Sequence, residues 1–161
     1  MDRCYKFLII AIAYVGINIF TTEVYADYEG MGNELSNNNQ IISITNEEYM
    51  LLSKLVAGEA RGESYEGQVA VAAVVINRLE DPRFPKSIED VIFQKNAFSV
   101  VRNGNIVTEA TETAYKAVDA ALYGHDPTDD AIYFWNPRIS TCKWIETLNP
   151  YMRIGNHVFA K

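Results

Sequence analysis

Cysteine and histidine are scarce: the 161 residues hold Cys4, Cys142, His125 and His157 and no others of either kind. Too few imidazoles and thiols are present to supply the three protein ligands of a typical catalytic zinc, and no metal or organic cofactor is expected. Basic residues are also short, 14 Lys and Arg against 21 Asp and Glu, which leaves a formal charge of −7. Such a chain has no general attraction for nucleic acid or for an anionic polymer, so any polymer it recognises has to be read by a shaped cleft. There are no internal repeats and no glycine-rich loop of the kind that cradles phosphate. Long apolar runs are absent too, apart from Phe7 to Phe20, which is short for a bilayer span.

That one run follows Arg3 and Lys6 and ends at Thr21-Thr22-Glu23, with Val24-Tyr25-Ala26 at the cleavage positions. The pattern predicts a secretory signal over residues 1–26, so the product is expected outside the cytoplasm and without stable membrane insertion after cleavage. Cys4 leaves with that signal. Cys142 then has no disulfide partner, and packing has to stabilise the mature chain. Residues 27–44 open with D-Y-E-G-M-G-N-E-L-S-N-N-N, which has no periodicity and reads as a flexible leader. Residues 45–161 are expected to form one domain.

Within that domain, T-N-E-E at Thr45 is a capping box, and Leu51, Leu52, Leu55 and Val56 fall on one helical face with Ser53, Lys54 and Ala57 opposite. Glu59 lands between Leu55 and Leu52 on that wheel, and Gly62 is the expected stop. The stretch from Tyr65 to Leu79 carries V-A-V-A-A-V-V-I and predicts a central helix enclosed on most sides. Ser87 to Phe93 predicts a short helix, Asn103-Gly104 a hairpin turn, and Thr111 to Tyr123 another helix. Two short strands are expected, one in A-I-Y-F-W and one in H-V-F-A-K. Helices dominate and the sheet is small, so the fold class is α+β.

A carboxylate on an apolar stripe is disfavoured in its charged form, which suits Glu59 to general acid work on a glycosidic oxygen. Fraying at Gly58, with Glu59 reaching to water, is the plainer alternative. Glu63 is expected to cap a helix or to pair with Arg61 or Arg78, and Asp126, Asp129 and Asp130 to be exposed turn residues. A Cys142/His157 pair could in principle attack a peptide bond, but no helix N-terminus stands before the thiol, so a packed cysteine and a histidine with a structural hydrogen bond are expected instead. Sugar rings stack on aromatic faces and hydrogen-bond to short polar side chains, which makes Ser99, Tyr133, Asn136 and Trp144 candidate cleft residues.

The segments A-G-E-A-R-G-E-S-Y-E-G-Q-V-A-V-A-A-V-V-I-N-R, Q-K-N-A-F-S-V-V, T-A-Y-K-A-V-D-A-A-L-Y-G, Y-F-W-N-P and R-I-G-N-H-V-F resemble the catalytic domain of the bacterial spore cortex-lytic enzyme and cell wall hydrolase family, from about Glu47 onward. The resemblance implies a mainly helical, lysozyme-like domain with a small antiparallel sheet. It implies peptidoglycan glycan strands as the partner, with Glu59 as the catalytic acid. By the same resemblance the bond between N-acetylmuramic acid and N-acetylglucosamine is cleaved with formation of a 1,6-anhydro sugar, in spore cortex or in wall remodelling. Phe98, Ser99, Tyr133, Asn136 and Trp144 are the substrate-binding candidates on the matching motifs. Hydrolysis by the same acid, a Cys142/His157 peptidase and a non-catalytic wall-binding protein are the alternatives. Members of that family often carry a peptidoglycan-binding module ahead of the catalytic domain, where this chain shows only the Asn-rich leader.

Overall fold

A computed structural model describes residues 40–161. The signal expected at 1–26 and all but the last residues of the leader expected at 27–44 lie outside the described residues. Helices α1 (Asn46–Glu59), α2 (Tyr65–Glu80) and α3 (Ile88–Ile92) come first. The hairpin β1 (Val101–Arg102) and β2 (Asn105–Ile106) follows, then α4 (Glu112–Leu122). The chain closes with β3 (Tyr133–Trp135), a 3-10 turn (Ile145–Thr147), β4 (Met152–Ile154) and β5 (His157–Ala160). The class is α+β, with two small antiparallel sheets: β1-β2, and a second in the order β3-β5-β4.

Each helix begins where a hydroxyl is available to its free amides. Thr45 accepts from Glu48 N while Glu48 reaches back to the Thr45 amide, Ser64 accepts from Gly67 N, Ser87 from Asp90 N and Thr111 from Ala114 N. Such caps contribute about 1 kcal/mol each. Helix α2 is buried at every position from Val69 to Ile76, because α1, α3 and α4 all pack on it. An all-round apolar helix of this kind is stable only inside a fold.

Two local expectations change. Ser53 does not face solvent opposite the leucines; it is fully buried, and its hydroxyl donates to the Tyr49 carbonyl at 2.8 Å, which removes the cost of enclosing it. Asp126 is half-buried and accepts from Asn77 Nδ2, Thr128 N, Thr128 Oγ1 and Asp130 N, so it organises the loop before β3.

The second sheet holds a strand that the sequence reading did not anticipate, β4, whose M-R-I lacks the aromatic run that marks β3. It pairs with β5 through Met152↔Phe159, Arg153↔Val158 and Ile154↔His157, around a tight turn at Gly155-Asn156. Gly155 has φ +57°, as the first central position of such a turn requires. Along β3 the side chains alternate: Trp135 joins Val158 and Ala160 on one side, while Phe134 packs toward Phe159 and the helices on the other. Phe159, fully buried against Ala70 and Val74 of α2, fastens this sheet to the helical core.

Candidate functional site

A cleft of about 980 Å³ opens at the C-terminal end of α1, within the range of small-ligand and substrate sites. Gly58 and Glu59 form its base, the segment from Phe93 to Gly104 one wall, and the segment from Phe134 to Ile145 the other. Glu63, Asn156 and His157 complete the lining.

Glu59 is half-buried at the base of this cleft, whereas Leu52 and Leu55 are fully buried beneath it. The carboxylate is therefore not enclosed by leucines, as the helical wheel had suggested; the final turn of α1 carries it past the core to the cleft surface. Its Oε1 accepts from Ser99 Oγ at 3.1 Å and from the Val100 amide at 2.9 Å. Oε2 has no hydrogen-bonding partner among the described residues. Two donors on one oxygen fix the plane of the carboxyl group and leave the other oxygen to face whatever occupies the cleft.

That contact depends on Gly58. A Cβ there would stand 2.8 Å from Val100 Cγ1 and 3.1 Å from Thr108 Oγ1, so α1 lies directly against the strand segments of the hairpin. The hairpin turns at Asn103-Gly104, both at positive φ as that turn requires, and both residues line the cleft.

Behind the cleft sits Arg78, only 5% exposed. Its Nε donates to the Ile132 carbonyl at 2.8 Å, and its guanidinium carbon lies 4.9 Å from the Phe98 ring centre, 5.1 Å from Phe84 and 5.9 Å from Tyr133. Burial pushes its pKa down to about 10, against the opposing influence of Tyr133 and Glu59. The aromatic faces offset part of the cost of enclosing the charge.

This arrangement sorts the expected substrate-binding residues. Ser99, Phe98 and Asn136 line the same cleft as Glu59. Phe98 is almost fully buried, and its ring covers Arg78. Asn136 turns the second wall, its Oδ1 accepting from Arg138 N and its carbonyl from Ser140 N. Tyr133 and Trp144 are placed outside the cleft lining. Tyr133 is taken up by the ring cluster around Arg78, 6.1 Å from Phe84, and Trp144 meets its edge at 5.4 Å while remaining 56% exposed.

Several lining residues were not anticipated. Glu63 binds neither Arg61 nor Arg78: its two oxygens accept from Asn156 N and Asn156 Nδ2. His157 is buried without the structural hydrogen bond expected of it, its Nδ1 unpaired. Burial holds its pKa below the ordinary histidine value, opposed by Glu63 and Glu59. Cys142 is not packed as expected: it lies in the loop between β3 and the 3-10 turn, exposed, and lines the cleft, as do Phe134, Trp135 and Ile139. No hydrogen bond joins Cys142 to His157 among the described residues. Among these residues no three His, Cys, Asp or Glu side chains gather in a metal-holding group, and no helix is long and apolar enough to cross a membrane.

Comparison with known proteins places these residues in context. Residues 62–160 match the cell wall hydrolase family. The spore cortex-lytic enzyme of Bacillus subtilis (strain 168) is 47% identical over 117 residues, 73% of this chain and 38% of that protein. The chain thus spans well under half the length of this curated relative. Among solved structures, the catalytic domain of the germination-specific lytic transglycosylase SleB from Bacillus anthracis superposes with a TM-score of 0.69 at 44% identity, covering 74% of this chain and 98% of that one. The catalytic domain of the Bacillus cereus SleB protein gives 0.68 at 43% identity, covering 78% and 98%.

Proposed function

This chain belongs to the cell wall hydrolase family, and on that footing we propose that it cleaves peptidoglycan between N-acetylmuramic acid and N-acetylglucosamine as a lytic transglycosylase. The observation that carries the reading is the Glu59 carboxyl, held through Oε1 by Ser99 and Val100 at the base of a cleft with Oε2 unengaged. A protonated Oε2 would give its proton to the bridging oxygen as the bond to C1 breaks. The resulting carboxylate would take the proton of the muramyl C6 hydroxyl while that oxygen closes onto C1. One carboxyl group serves both steps, with no water consumed. Glu63, the other carboxylate of the cleft, is engaged through both oxygens by Asn156, which supports a cycle with a single acid.

The match to a germination-specific lytic transglycosylase catalytic domain supports this chemistry over hydrolysis, and the similarity to a spore cortex-lytic enzyme supports spore cortex as the substrate. In the same reading, residues 45–161 are the catalytic domain, residues 1–26 direct export, and Ser99, Phe98 and Asn136 shape the glycan site. Two measurements on purified protein test the reading. Glu59→Gln keeps the shape and both donor contacts but carries no transferable carboxyl proton, so release of soluble fragments from peptidoglycan should fall at least about a hundredfold. Mass spectrometry of the wild-type products should show anhydro-muropeptides, one water lighter than reducing ends. Reducing ends alone would replace the transglycosylase by a hydrolase, and full activity in Glu59→Gln would remove Glu59 from the chemistry.

A further inference from the structure

His157 lines the cleft from β5, 7% exposed and edge-on to the rings of Phe134 at 5.1 Å and Phe159 at 6.5 Å. Its Nδ1 is enclosed and has no hydrogen-bond partner. Its Nε2 is not among the enclosed atoms and bonds to no protein group among the described residues. The neighbouring carboxylates do not reach it: Glu59 is engaged by Ser99 and Val100, and Glu63 by Asn156.

For packing alone, a phenyl ring would serve here at less cost, because an enclosed and unpaired polar atom is destabilising by about 1–3 kcal/mol. The imidazole is therefore not explained by the core it sits in. It lines the cleft, into which Nε2 could make the bond it lacks. In a neutral imidazole Nε2 is either the donor or the acceptor, according to the tautomer, and a sugar hydroxyl, which can do both, fits it in either case.

We propose that His157 is a substrate-contacting residue, presenting Nε2 to a hydroxyl group of the glycan unit seated beside Glu59. This rests on the reading of the cleft as a glycan-cleaving site and adds to it a specific polar contact on the part of the lining shared with Glu63 and Asn156. The side chain acts as a hydrogen-bonding group in the ground state as well as during cleavage, so its loss weakens binding directly.

The test measures binding of a soluble, uncrosslinked peptidoglycan oligosaccharide by titration calorimetry to the intact chain carrying Glu59→Gln, alone and with a second change at His157. His157→Phe keeps the ring packing and removes both nitrogens, and is expected to weaken binding at least about tenfold. His157→Gln places an amide near the Nε2 position and should bind more tightly than the Phe variant. Equal affinity of Glu59→Gln with and without His157→Phe would overturn the proposal, as would a Gln variant no better than the Phe variant. Should the Phe variant fail to fold, the Gln variant is compared with His157→Asn, whose amide lies near Nδ1 instead; tighter binding by Gln supports the contact and equal binding overturns it. Cleavage by Glu59→Gln would overturn the acid assignment instead, and the His157 comparison would then be read from rates. Failure of Glu59→Gln to bind the oligosaccharide would overturn both.

Discussion

Glu63 and Asn156, 93 positions apart in sequence, are joined twice: Oε2 accepts from the Asn156 amide at 3.2 Å and Oε1 from its side-chain nitrogen at 2.9 Å. The carboxylate lies across the face of Gly155, where a Cβ would collide with Oε2. One side chain at the start of the domain thus holds the turn that presents His157.

Gly155→Ala should expose this arrangement. A side chain is disfavoured at φ +57°, by about 1–2 kcal/mol, and expelling the carboxylate forfeits hydrogen bonds to a charged group. A loss of about 3 kcal/mol in denaturant unfolding is expected. The double variant Glu63→Ala/Gly155→Ala should be more stable than the sum of the single losses implies, because the collision is gone. Strict additivity would mean that the two residues do not press on each other.

Ser99→Ala removes one of the two donors to Glu59 Oε1 and leaves the Val100 amide. Activity on peptidoglycan should fall about tenfold with little change in melting temperature, since one hydrogen bond at a half-exposed site is worth about 1 kcal/mol. An unchanged rate would show that Val100 alone orients the carboxyl group.

His157 also makes a prediction about pH. Burial holds its folded pKa below the ordinary 6.5, so the unfolded chain takes up the proton first on acidification. The stability that depends on neutral His157 is complete above about pH 6.5 and is lost as pH falls through the lower folded value. Wild type should therefore lose more melting temperature between about pH 7.5 and pH 5.5 than His157→Phe does. Equal losses would mean that His157 does not change its proton affinity on folding.

Cys142→Ala should keep full activity, because no acid–base partner among the described residues engages the thiol. Its exposed place in the cleft lining predicts a different response to modification: a bulky maleimide on Cys142 should block glycan cleavage in wild type and leave Cys142→Ala untouched. A large loss in Cys142→Ala would instead revive a thiol mechanism.

The helices were legible in the sequence, α1 and α3 from the caps at Thr45 and Ser87, and α2 and α4 from their long apolar patterns. The turn at Asn103-Gly104 was legible for a similar reason: few residue pairs accept two positive φ angles. Strand β4 was not: M-R-I has a charged centre and none of the aromatic residues that mark Y-F-W, and it becomes a strand only by pairing with β5. Within the cleft, Ser99 and Asn136 carried a visible polar signal beside aromatic residues. The partner of Glu63 did not, because nothing local to A-R-G-E points to a hairpin turn near the far end of the chain. Tyr133 and Trp144 looked like sugar platforms by composition alone; the buried guanidinium of Arg78, which recruits Tyr133, became visible only with the fold.

Gly58 shows how narrow the tolerances around the acid are. With hydrogen as its only substituent, the backbone of one segment can rest on the side chain of Val100, and the amide that steadies Glu59 comes within reach. Enlarging that residue by a single methyl group would act as a wedge, prising the first wall from the base and widening the groove from within. The orientation of the Glu59 carboxyl group is thus governed as much by an atom that is missing as by the groups that hold it.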